Sequence, residues 1–167
     1  AFAALLVVAV AVFLAMRGDG NSADSGTRDN PLAMGTSVEV GNGWLVTVNS
    51  ANTSANTAVA AAEAFNDPPE SGKRYVVVNL SATNNSAESD SPEIDVSLFG
   101  ASGEEHDGGN LVTPPEPRLD TVTELDPGQS TEGNLVFVVD SDESDLALRL
   151  QPLIAVDGDQ SWVALGD

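Results

Sequence analysis

The chain has no cysteine, one histidine, 5 % aromatics and only six basic residues in 167, and each scarcity removes a class of function. Without cysteine there is no disulfide, no thiol nucleophile, no iron–sulfur or cysteine–zinc centre, and no acceptor for a lipoprotein lipid. With His106 as the only imidazole, a zinc site would have to be completed by carboxylates. A hydrolytic triad would need a serine on a strained elbow, and the sequence has no G-x-S-x-G. His106 sits in Glu104-Glu105-His106-Asp107-Gly108-Gly109, which reads as a solvated polar loop. No catalytic residue and no cofactor is expected, and the chain reads as non-enzymatic. Twenty-six acidic residues against six basic ones give a formal charge of −20, which repels phosphate and excludes nucleic acid as a partner.

What is present begins with residues 1–16, uncharged and almost wholly apolar, followed by Arg17. At about 1.5 Å per residue this run reaches roughly 24 Å, somewhat short of the ~30 Å hydrocarbon core. The first residue is Ala1, so further apolar residues upstream are expected to complete the span, and residues 1–17 are read as an N-terminally truncated transmembrane helix. A cleaved signal peptide fits less well, because bulky Met16 stands where a small residue belongs. Ala11 and Ala15, four apart, would let this helix pack closely against another and are candidate partner contacts. Residues 18–28, rich in Gly, Ser, Asn and Asp, read as a flexible linker. The acidic remainder, 29–167, has the size of one domain and is placed on the extracytoplasmic side of a cell membrane.

That domain reads as all-β. Apolar residues alternate in short runs at 37–40, 43–48, 74–82, 94–99, 119–125, 134–139, 145–150 and 161–165, separated by Gly, Pro, Asn and Asp. About eight such strands suggest an antiparallel β-sandwich. Gly41-Asn42 supplies a hairpin turn, and Asp126-Pro127-Gly128 a turn with Pro fixing φ and Gly taking φ > 0. Residues 57–65 have the alanine-rich composition of a helix, but their position between two strands favours a further strand. Trp44 and Tyr75, on alternating strands with apolar neighbours, are expected in the core.

The order of these turns and core positions resembles the telokin-like, immunoglobulin-type extracytoplasmic domains of actinobacterial membrane-anchored and exported proteins. The resemblance is carried by Asn30-Pro31 with Gly35, by Gly43-Trp44 leading into Val46 and Val48, and by Phe65-Asn66 before Pro68-Pro69, Gly72 and Tyr75-Val76-Val77-Val78. Asn84-Asn85-Ser86 and Leu125-Asp126-Pro127-Gly128 before Val136-Phe137-Val138-Val139 extend it, so that it covers residues 28–150. It implies an immunoglobulin-like fold, similar to that of small secreted antigens, and no reaction.

Two classes of function fit these observations. An interaction module on the outer membrane face would bind membrane protein partners through the N-terminal helix and the acidic domain. It would then be an accessory subunit of a larger complex, a respiratory-chain assembly being one host, with Trp162 near the chain end as a partner contact. The alternative is a calcium- or small-ligand-binding domain. Calcium takes only oxygen ligands, and the densest acidic loop offers Asp140, Asp142 and Asp145 as weak candidates. The loop lacks the glycine at its sixth position that an EF-hand requires, and Asp157-Gly158-Asp159 is a lesser pair of the same kind.

Overall fold

The central strand is β4 (Lys73–Asn84), and its sequence requires cover on both faces, because Tyr75, Val76, Val77 and Val78 are consecutive and all buried. The computed structural model describes residues 25–108, 112–155 and 158–166. In it β4 lies between β3 (Trp44–Asn52) and β7 (Ser130–Asp140), with β2 (Ser37–Val40) beyond β3, to give a four-stranded antiparallel sheet. The second sheet has five strands in the order β1 (Leu32–Ala33), β9 (Ser161–Ala164), β8 (Ala147–Pro152), β5 (Ile94–Phe99) and β6 (Glu105–Asp107). The all-β sandwich inferred from the alternating runs is therefore present. β1 departs from the antiparallel pairing and runs parallel to β9.

Between the sheets lies the main core, where Phe137, Leu80, Val46, Val48, Val76 and Val78 from one sheet meet Leu98, Leu148 and Leu150 from the other, all at 0 % exposure. Trp44 (2 %) and Tyr75 (5 %) are buried, as expected. The opposite face of β4 and β7 presents Tyr75, Val77 and Val136, and this patch is covered by the helix α1 (Asn56–Ala62) through Ala55 and Val59. The expectation of a strand over 57–65 is thus corrected. A one-strand extension could hydrogen-bond at a sheet edge, but only a segment with one apolar stripe could lie on the sheet face, and alanine favours the helix there. The Asn56 carboxamide oxygen accepts from the Tyr75 amide (2.8 Å), and the Ala55 amide donates to the Tyr75 carbonyl (2.9 Å), so the helix start is pinned to β4.

Two further expectations are corrected. Residues 119–125 form no strand: Asp120 accepts from the amides of Val122 (2.9 Å) and Thr123 (3.1 Å) and from the Thr123 hydroxyl (2.6 Å), a local turn that competes with ladder pairing. Residues 25–28, assigned to the linker, belong to the domain. The Gly26 carbonyl accepts from the Trp162 amide (2.9 Å), and the Arg28 guanidinium lies over the rings of Phe99 (5.3 Å) and Trp162 (5.5 Å). The expected transmembrane helix, with Ala11 and Ala15, lies outside the described residues, as does the rest of the linker. Among the described residues no helix is long and apolar enough to cross a membrane.

At Gly133 the backbone of Arg118 and Leu119 packs so closely that an added Cβ has no room, and the neighbours are main chain, which cannot swing aside. Gly133→Ala should therefore cost about 2–3 kcal/mol, seen as a lower urea midpoint with an unchanged m-value. A variant as stable as the parent would show that the 118–119 segment is not held against β7.

Candidate functional site

Three loops converge at one end of the sandwich. The β2–β3 hairpin turns at Gly41 (φ +58°) and Gly43 (φ +93°), where a side chain would press on Pro152 (3.2 Å) and on the Ser86 backbone (3.2 Å) respectively. The segment after β4 is held to this turn by the Asn85 amide donating to the Gly43 carbonyl (2.8 Å). Its organiser is Asn84, 0 % exposed, whose amide group donates to the Glu88 and Leu125 carbonyls (both 2.8 Å) and whose side-chain oxygen accepts from the Ser86 amide (2.9 Å). The segment after β8 is fixed by the Leu153 amide donating to the Glu93 carbonyl (3.0 Å). The turn at Asp126-Pro127-Gly128 forms as expected, with Gly128 at φ +83° and the Gln129 amide bonded to the Asp126 carbonyl.

These loops enclose a groove of about 550 Å³ with Trp44 in its lining. Glu39, Asp90, Glu93 and Asp159 also line it, and among the described residues no basic one does. Asp90 accepts from the Ser91 amide (2.9 Å), while Glu39, Glu93 and Asp159 have no hydrogen-bond or ion-pair partner from their side chains among the described residues. Leu153 (65 %) and Ile154 (88 %), also in the lining, are exposed.

The scarce cations are used elsewhere. Lys73 pairs with Asp140 (2.7 Å), Arg118 with Glu116 (3.0 Å), and Arg149 with Glu105 and Asp95. Arg74 donates to the carbonyls of Thr53 and Glu143, and Arg28 to that of Gly100. Every basic side chain among the described residues thus has a partner within the chain, that of Arg118 at the surface, and none lies in the groove.

The weak calcium candidates do not assemble. Asp140 is held by Lys73, Asp142 and Asp145 are exposed, and among the described residues no group of three or more histidine or acidic side chains could hold a metal ion. Glu143, in the same loop, turns inward to 9 % exposure, where it accepts from the Ser102 hydroxyl (2.5 Å) and amide (2.9 Å). These bonds, the hydroxyl first, hold its carboxyl below the ordinary glutamate range. His106 itself is not in a solvated loop. It lies on β6 opposite Leu98, 8 % exposed, with a buried Nε2 that has no hydrogen-bond partner among the described residues.

Trp162, expected at a partner surface, is 6 % exposed and packs on Phe99 with ring centroids 4.9 Å apart, under Arg28. Asp159 was legible as a loop oxygen beside it. Glu39, Asp90 and Glu93 carried no motif, and only the absence of neighbouring bases sets them apart.

A family model described as a domain of unknown function, DUF4352, matches residues 32–160. The chain belongs to this family. The DUF4352 sandwich resembles the yjhA protein of Bacillus subtilis at a TM-score of 0.56 and 15 % identity, covering 81 % of this chain and 99 % of that one. A conserved hypothetical protein of Bacillus anthracis aligns at 0.54 and 15 % over 78 % and 94 %. The ycdA protein of Bacillus subtilis aligns at 0.51 and 16 % over 75 % of this chain and 37 % of its own. No curated protein matches. At these identities the likeness concerns the β-sandwich alone.

Because its folded-state pKa is depressed, Glu143 adds stability above the ordinary value of 4.5 and loses it as pH falls through the native value. Ser102→Ala should cost about 1–2 kcal/mol at pH 7, and the gap to the parent should shrink below the carboxylate range. Urea unfolding at pH 7 and pH 3 checks this, and a gap independent of pH would refute it.

Proposed function

We propose that this DUF4352 domain is a non-enzymatic interaction module of telokin-like, immunoglobulin type, carried on the extracytoplasmic face of a membrane by the apolar segment at residues 1–17. In this reading it serves as an accessory subunit of a larger membrane protein complex. The observation that carries the reading is the charge arrangement: the five described basic side chains all have partners within the chain, while the groove carboxylates and most of the acidic surface lack counter-charges. Such a surface attracts a cationic protein face over several ångströms and disfavours anionic lipid and nucleic acid. The apolar segment would confine the search for partners to the same bilayer. No observation gives the calcium reading comparable support, since the acidic loop spends Asp140 on Lys73 and Glu143 on Ser102.

Affinity purification of the full-length protein from native membranes in mild detergent should recover a membrane protein in stoichiometric amount. Exchange of residues 1–17 for an unrelated apolar span should weaken that recovery. Isolation of the protein alone, in repeated preparations, would refute a stable subunit.

A further inference from the structure

We propose that the groove at the Gly41–Gly43 end receives an extended segment of the partner protein that bears lysine or arginine next to an aliphatic side chain; this rests on the interaction-module reading above and specifies its partner chemistry. Three features of the groove select this occupant. Glu39, Asp90, Glu93 and Asp159 converge with no basic residue among the described lining, so the occupant brings positive charge. Trp44 lines the groove yet is only 2 % exposed. Its indole N–H has no hydrogen-bond partner among the described residues, which leaves a donor for an occupant of the groove that Trp44 lines.

That donor separates the candidate occupants. A bare metal ion or a polyamine satisfies carboxylates but has no lone pair to offer an N–H, whereas a peptide supplies both cationic side chains and a backbone carbonyl. The third feature is the exposed Leu153 and Ile154, which give an aliphatic neighbour of the basic residue a surface to cover. The volume, about 550 Å³, falls within the ~300–1,000 Å³ range of ligand sites.

The test uses an acetylated and amidated pentapeptide of alternating lysine and leucine, with two controls: glutamate in place of lysine, and serine in place of leucine. Binding is read by calorimetry and by the two indole N–H resonances of the ¹⁵N-labelled protein. The lysine–leucine peptide should bind and shift the Trp44 indole resonance while leaving that of Trp162 in place, and both controls should bind at least tenfold more weakly. Glu93→Gln combined with Asp159→Asn, both at exposed positions, should weaken binding at least tenfold. Glu70→Gln with Glu132→Gln, which removes the same charge elsewhere, should not.

Equal loss in the two double variants would reduce the effect to diffuse attraction and overturn the proposal, as would an unmoved Trp44 resonance. Calcium or spermidine shifting the Trp44 resonance as the peptide does would overturn it in favour of a simple cation site. The groove variant, used in the membrane purification above, separates the two readings. A partner recovered by the parent and equally by the groove variant refutes the groove alone, whereas no partner for the parent refutes the module.

Discussion

The rest of the structure depends on burying both faces of β4. Tyr75 to Val78 form an unbroken apolar stretch in a strand, where successive side chains point to opposite sides. Val76 and Val78 are covered by the five-stranded sheet, and this contact is the main core. Tyr75 and Val77 face the other way and would be left in water by a plain two-sheet sandwich. The helix α1 solves this by laying Val59 on them, with the Ala55 and Asn56 hydrogen bonds to Tyr75 fixing where it begins. The position of α1 then decides where the chain can re-enter as β4, and the Tyr75 hydroxyl, donating to the Asp67 carbonyl (3.0 Å), fastens the intervening loop.

A second constraint is the shortage of positive charge. With six basic residues to set against 26 acidic ones, the fold cannot neutralise its surface, and it spends the five described cations on structure. Arg74 holds two loop carbonyls, Arg28 clamps the chain entry onto Phe99 and Trp162, and Arg149 binds across the outer face of the five-stranded sheet. Where three loops meet beyond the reach of these side chains, carboxylates stand without counter-charges. The groove's acidic character follows from this distribution, since no described basic side chain lies in its lining.

Much of the fold was legible in the sequence because strand alternation is a local property. The runs at 37–40 and 94–99 are strands with those limits, and the core positions of Trp44, Phe137 and Val139 follow from the same period. Where the reading failed, a non-local or side-chain effect had overridden periodicity. Alanine-rich 57–65 was decided by the apolar patch on β4 and β7, residues 119–125 by the Asp120 cap, and His106 by pairing with Leu98 at a sheet edge. Trp162 near the chain end had the marks of a surface residue until the entry segment folded over it.

By itself the sequence determined the all-β class, the main turns, the excess of acid and the lack of any thiol chemistry, because each of these depends on composition or on neighbours a few residues apart. Only the tertiary structure decided which carboxylates gather without a basic partner. Glu39, Asp90, Glu93 and Asp159 are separated by up to 120 positions in the chain and carry no spacing that would link them. They meet because β2 and β8 belong to facing sheets whose loops open at the same end, while the few cations are drawn to other contacts.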